Sequence, residues 1–227
     1  MRKVLLLFVL FSAYSVTSAQ MVGGSFMLGM PKGEFKENVD RLGYGINLQL
    51  AAWEPSLMKP VSFGLNVGYM IYGEESFKRP LSLTNPDVTV DVDRKNSLLN
   101  FHLMLLVSPF PGKVKPYAEL LGGGQYIFTS TDVESENNIQ DVFSSTNFDD
   151  FGWSYGAGLG ILFNVFGGVG GVGKIAIDLK ARYMFSSEVE YLREGDIEIS
   201  GGNVYFTPSK STTDLVTIHL GVMVGLL

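Results

Sequence analysis

Apolar and polar residues alternate with a period of two through most of this chain. The clearest stretch is 174–185: Ile175, Ile177, Leu179, Ala181, Tyr183 and Phe185 share one parity, and Lys174, Ala176, Asp178, Lys180, Arg182 and Met184 the other. Such alternation puts the two sets on opposite faces of a strand, whereas a helix would spread the three central charges around its circumference. Residues 216–226 repeat the pattern, with Val216, Ile218, Leu220, Val222, Val224 and Leu226 against Thr217, His219, Gly221, Met223 and Gly225. Similar strands are predicted around 44–50, 61–71, 99–107, 120–128 and 153–165, and a less regular one at 21–30. Leu98, Met104 and Leu106 interrupt the polar parity of their segment. The total is eight strands.

Long and short connections then alternate, at about 12, 7, 23, 7, 20, 7 and 24 residues. The short ones are 54–60, 109–115 and 167–173; the long ones are 31–42, 74–96, 131–150 and 188–211. Bacterial outer-membrane barrels have short periplasmic turns and long outside loops, and an even strand number returns both termini to the periplasmic side. Within 74–96, the run Asp87-Val-Thr-Val-Asp91-Val-Asp93 alternates too, so that hairpin is expected to continue above the membrane.

The character of the two faces separates a membrane barrel from a soluble sandwich. The polar parity is rich in glycine, serine and asparagine (Asn47 and Asn66 among them) and poor in lysine, which suits a narrow interior better than a solvated surface. The apolar parity then faces lipid, and Tyr44, Trp53, Tyr69, Tyr117, Tyr126, Trp153 and Tyr155 near the segment ends read as interfacial girdles. A closed barrel is also the one sheet that leaves no unpaired backbone in hydrocarbon. The expected fold is all-β: an eight-stranded antiparallel up-and-down transmembrane β-barrel with both termini periplasmic.

The start of the chain fits export. Arg2 and Lys3, the apolar run Val4 to Phe11 and the small residues Thr17-Ser18-Ala19 have the layout of a signal peptide over 1–19, cleaved before Gln20. The apolar run is far short of the roughly 20 residues of a spanning helix. Residues 20–227 are expected to form the barrel domain, in the cell outer membrane. The chain has no cysteine, which excludes disulfides and thiolate metal sites, and its net charge of -6 argues against nucleic acid as a partner.

Asn100, His102, Glu119, Gln125, Asp178, Lys180, Arg182 and His219 fall on inward parity and are expected to form a polar network in the lumen. An eight-stranded barrel is just wide enough for side chains to fill. Unpaired, each buried charge would cost several kcal/mol, so the charges are expected to pair. A proton- or ion-conducting path is the alternative use. A general base must lie within hydrogen-bond reach of its nucleophile; no serine can be assigned to His102, and no nucleophile motif stands beside His219. No catalytic, cofactor-binding or metal residue is therefore assigned.

Two motifs mislead. Gly168 to Lys174 matches GxGxxG, but a phosphate loop needs a helix after it, and the clearest strand follows instead. Residues 151–173 resemble a membrane helix with small-residue spacing, yet nine of them are glycine, each costing about 1 kcal/mol in a helix relative to alanine. On a strand, those glycines let bulky inward neighbours fit.

The chain resembles the small outer-membrane β-barrel domain family, which includes the transmembrane domain of outer membrane protein A and the opacity-type barrels. The segment Pro31-Lys32-Gly33-Glu34-Phe35-Lys36-Glu37-Asn38 followed by Gly43-Tyr44-Gly45 looks like the first hairpin of Bacteroidota-type members. The last strand, with His219, Gly221, Val224 and Leu226, is similar to the signal read by the barrel-assembly machinery, although it ends Leu226-Leu227 rather than on an aromatic. The resemblance implies outer-membrane lipid and lipopolysaccharide as surroundings, no cofactor and a mixed set of functions.

The expected function is a non-catalytic barrel with a filled lumen, acting in envelope integrity or in surface interaction with an unknown ligand through acidic outside loops. Loop 131–150 alone has six carboxylates (Asp132, Glu134, Glu136, Asp141, Asp149, Asp150) and no base, which predicts a hydrated segment. In loop 74–96 the spacing of Asp87, Asp91 and Asp93 suits calcium, but the turn glycine of a calcium loop is missing; divalent bridging to lipopolysaccharide is the hypothesis that remains. The alternatives are a narrow conduit for small or hydrophobic solutes, an accessory barrel of a secretion system, and a lipid-modifying enzyme using a histidine.

Overall fold

A computed structural model describes residues 21–82, 85–135, 138–167, 172–193, 195–200 and 203–226. The expected signal peptide, most of the glycine turn at 168–171, and Glu136 and Glu194 lie outside the described residues. Eight strands close into one antiparallel barrel: β1 (Met21–Pro31), β2 (Gly43–Ala51), β3 (Val61–Ser82), β4 (Asn85–Val107), β5 (Val114–Ser135), β6 (Asn138–Phe166), β7 (Val172–Ser186) and, last in the chain, β12 (Leu215–Leu226). Each pairs with its predecessor, and β1 closes the ring by pairing with β12 from Met21↔Gly225 to Pro31↔Leu215. Both ends of the described chain therefore sit at the end of the barrel that carries the short turns 52–60 and 108–113.

The alternation maps onto the wall. Phe26, Leu48, Leu103, Leu159 and Leu220 point outward and are exposed, while Asn47, Glu119, Asp178, Lys180 and Arg182 point inward and are no more than 4% exposed. That is the reverse of a water-soluble protein and suits hydrocarbon outside and polar contacts inside. Strand β3 pairs with β4 without a register shift from Val61↔Val107 to Ile71↔Ser97. Eleven residues at ~3.3 Å each, tilted ~40°, span about 27 Å, the height of an outer-membrane apolar band. Aromatic rings gather toward the far end of that band, with Tyr126 stacked on Phe128 at 5.4 Å, Phe151 edge-on to Trp153 at 5.6 Å, and Tyr155 stacked on Phe185 at 5.5 Å.

The least regular predicted strand, β1, is the closing one. Its inward positions are Met21, Gly23, Ser25, Met27 and Gly29, and the polar parity is weak there because Met21 and Met27 belong to apolar layers of the lumen.

The long connections are more ordered than expected. The β3–β4 hairpin stays paired to Ser82↔Asn85, well beyond the band, as its alternation predicts. The β5–β6 hairpin does the same up to Ser135↔Asn138, so residues 131–135 and 138–150, expected as an outside loop, are paired strand. Threonine, valine and phenylalanine interleave with their acids and favour pairing. The connection 31–42 holds a short helix, α1 (Gly33–Asn38), with Glu34 in its first turn and Lys36 in its last, both matching the helix dipole. The connection after β7 holds two small sheets, in which β8 (Glu188–Tyr191) pairs with β11 (Ser209–Thr212), and β9 (Ile197–Ser200) with β10 (Asn203–Phe206).

The lumen is layered. Near the short turns lies an apolar plug that includes Met21, Met104, Leu106, Leu162 and Met223. At the opposite mouth lies a second plug, built from Met27, Met70, Tyr72, Leu98, Ile127 and Tyr191 around Phe35 of α1, which is completely buried. Phe35 meets Tyr72 and Tyr191 edge-on at 5.5 and 5.3 Å. The residues that broke the alternation, Leu98, Met104 and Leu106, are thus the plugs themselves. The charged network fills the space between.

Candidate functional site

The network is assembled across inward glycines. Glu119 of β5, Gly158 of β6 and Arg182 of β7 form one row of the sheet. With no side chain between them, Arg182 Nε donates to Glu119 Oε1 at 2.5 Å and Nη2 to Oε2 at 3.1 Å. A Cβ on Gly158 would lie 2.7 Å from Glu119 Oε1 and 2.9 Å from Arg182 Cγ. Tyr117, Gly160 and Lys180 form the neighbouring row. The Tyr117 ring lies over Gly160, and its hydroxyl donates to Asp178 Oδ1 at 2.6 Å. Lys180 pairs with Asp178 at 3.0 Å and also donates to Gln49 Oε1.

Asparagine and glutamine complete the shell. Arg182 Nη1 donates to Asn47 Oδ1 and to Asn66 Oδ1, each at 3.2 Å, and Gln49 Nε2 donates to Asp178 Oδ2 at 3.3 Å. Each of the four charges has an opposite charge, and Asp178, Lys180 and Arg182 have neutral partners as well, the condition under which burying ions in a low-dielectric interior is tolerable. Two cations balance two anions, so the layer carries no net charge.

The other expected lumen residues lie closer to the upper plug. Asn100 covers Gly68, its Oδ1 2.8 Å from where a Cβ would stand. Gln125 donates to Thr213 Oγ1, which shares a 2.8 Å hydrogen bond with Ser186 Oγ. His219 Nε2 lies 2.8 Å from Thr217 Oγ1, and its Nδ1 is 3.5 Å from Ser25 Oγ. His102 corrects the sequence reading, which found it no serine: Nε2 lies 2.6 Å from Ser154 Oγ. The contact crosses another glycine, since His102, Gly123 and Ser154 occupy one row of β4, β5 and β6.

A histidine beside a serine is the start of a nucleophilic pair, but catalysis also needs the base oriented by a third group and the serine open to substrate. His102 Nδ1 has no hydrogen-bond partner among the described residues, and both side chains are buried. The adjoining cavity, lined by Asn47, Asn66, His102, Ser154 and Arg182 among others, measures about 20 Å³, room for one water. The sequence also missed Tyr117, Gln49, Asn47 and Asn66 as network members. Tyr117 was expected outside among the girdle aromatics; it is 4% exposed and inward, as its shared parity with Glu119 and Gln125 requires.

Charges also organise both ends. Beneath the lower plug, Glu54 of the first short turn accepts from Lys115 and from Lys174, the latter at 3.1 Å. Partial burial works to raise its pKa, but the two ammoniums outweigh that and hold the carboxyl below its ordinary range. Above the upper plug, Arg193 Nε and Nη2 grip the two oxygens of Asp196 at 3.1 and 3.2 Å.

No family model matches the sequence, and no curated protein matches it. Among solved structures, Ail, the attachment invasion locus protein of Yersinia pestis, aligns over 92% of this chain and 99% of its own at 14% identity and a TM-score of 0.44. Neisserial surface protein A aligns over 91% and 96% at 10% identity and 0.38. A major outer membrane protein from Thermus thermophilus aligns over 90% and 99% at 11% identity and 0.42. These scores are low, and the eight-stranded barrel stands on its own strand pairing.

Proposed function

We propose that this chain is an exported, non-catalytic outer-membrane barrel that holds two projecting hairpins and a folded cap at the cell surface. The observation that carries this reading is the inverted wall: an apolar band of membrane height outside, and a neutralised charged layer between two apolar plugs inside. A lumen packed in this way supports anchoring and opposes passage of solutes, which sets the conduit reading aside. The His102–Ser154 pair is buried and has no orienting group among the described residues, which weighs against a lipid-modifying activity.

In this reading the signal peptide directs export, the terminal strand β12 engages the barrel-assembly machinery, and lipid and lipopolysaccharide surround the band. The surface segments 31–42, 74–96, 131–150 and 186–214 together hold twenty acids and nine bases, so they favour cationic partners or divalent bridging to lipopolysaccharide. The test is insertion of the purified chain into vesicles, read by unheated gel mobility and by planar-bilayer conductance. Shifted mobility with no channel events supports the reading. Failure to insert, or steady single-channel steps, overturns it.

A further inference from the structure

The short-turn end differs in sign from the rest of the molecule. Stretches 52–60, 108–115 and 166–174 contain Lys59, Lys113, Lys115 and Lys174 against the single acid Glu54, in a chain whose net charge is -6. The turns that carry these lysines are tied down. Asn164 of β6 clamps the second turn, with its Nδ2 donating to Gly112 O at 2.9 Å and its backbone N–H to Lys113 O at 2.8 Å. Ser108 ties that turn to the first through a 2.8 Å bond from its N–H to Pro60 O. Glu54 then bridges Lys115 and Lys174 across the barrel mouth.

Beside this array is an open cleft of about 610 Å³, lined by Lys113, Lys115 and Lys174 together with Leu57, Val165 and Phe166. Val165 and Phe166 are exposed and continue the outward apolar band of β6. The cleft therefore brings ammonium groups and greasy side chains together at the level where the band ends. We propose that it binds the headgroup phosphate of an anionic phospholipid from the periplasmic leaflet, with an acyl chain lying against Val165 and Phe166. Glu54 neutralises one of the two lysines it bridges, so the cleft keeps an excess of positive charge that a neutral or zwitterionic lipid cannot match. The surface segments at the opposite end together carry an excess of acids, although Lys32, Lys36 and Arg41 line a smaller cleft of about 270 Å³ there.

The proposal rests on the membrane reading above, and its test separates the two. The folded barrel is inserted into vesicles of equal phosphatidylglycerol and phosphatidylethanolamine, released, and its retained lipid counted by native mass spectrometry. The wild type is expected to retain phosphatidylglycerol in preference. Removal of a lysine at a charged lipid surface is expected to lower that preference about five-fold, so Lys113→Gln with Lys174→Gln should nearly abolish it. Lys95→Gln with Lys210→Gln, at the other end, should leave it intact. Equal retention of the two lipids by the inserted wild type, or an unchanged preference in the Lys113→Gln/Lys174→Gln variant, overturns the proposal. Should that variant fail to fold, Lys113→Gln alone decides, because the Lys113 side chain is exposed. A wild type that never inserts overturns the membrane reading and this one with it.

Discussion

Glu119 and Arg182 meet over the backbone of Gly158, two strands apart, through a bidentate pair at 2.5 and 3.1 Å. The glycine is as much a part of the pair as the charges are. A strand between two interacting residues normally projects its own side chain into the gap; here it projects nothing. The same arrangement joins His102 to Ser154 over Gly123 and seats the Tyr117 ring on Gly160.

Breaking the pair from one side should be costly. Arg182→Met leaves Glu119 buried without its cationic partner, and Glu119→Leu leaves Arg182 with only neutral acceptors. Each is expected to lose roughly 3–5 kcal/mol of unfolding free energy. The double variant Glu119→Leu/Arg182→Met should lose much less than the two singles combined, since no charge is then stranded. Urea titration of the vesicle-embedded barrel, followed by tryptophan fluorescence, measures all three. Additive losses would show that the two groups do not act as a pair.

Gly160→Ala should destabilise by overpacking, since its new Cβ would press into the Tyr117 ring, well inside van der Waals contact. Insertion of a single methyl into a filled core typically costs about 1–3 kcal/mol. The same substitution in a Tyr117→Leu background should cost less, because the rigid ring is gone. Comparing the two costs by urea titration isolates the contact; identical costs would mean that the clash lies elsewhere.

How far this was legible in the sequence follows from what alternation encodes. Period two fixes which face a residue takes, so the inward placement of Asp178, Lys180 and Arg182 could be read directly. It says nothing about reach across the lumen. Ser154 lies 52 residues from His102 in sequence, and only the register through Gly123 brings them together. Tyr117 was misjudged because aromatic character was weighed above parity. Leu98, Met104 and Leu106 looked like noise in a polar face, when they mark the depths at which the lumen turns apolar. Order in the outside segments was legible only where alternation persisted, as in Val88 to Val92.

The upper plug depends on α1, a six-residue helix whose one buried side chain is Phe35. Phe35→Ala should loosen that cap while leaving the band intact. Amide exchange is expected to rise across 33–39, with a smaller change in global unfolding than the ~3–5 kcal/mol of a fully coupled core phenylalanine. Planar bilayers should stay silent, because the lower plug around Met104 and Met223 still closes the lumen. Channel events in this variant would show that the lower plug does not seal.

Acid should loosen the short-turn end through Glu54. Its carboxyl titrates below the ordinary 4.5 in the fold, the pull of Lys115 and Lys174 exceeding the opposing effect of burial. A depressed carboxylate contributes stability that is present above its unfolded pKa and fades as pH falls through the folded value. Glu54→Gln should therefore be less stable than the wild type near neutral pH, with the gap closing below about pH 4 as the wild-type carboxyl protonates. The removal also strands Lys115, which is buried, so the neutral-pH loss should exceed that of an exposed surface pair. Unfolding midpoints of the two proteins measured from pH 7 to pH 3 test this: curves that stay parallel throughout would mean that Glu54 does not titrate against its lysines.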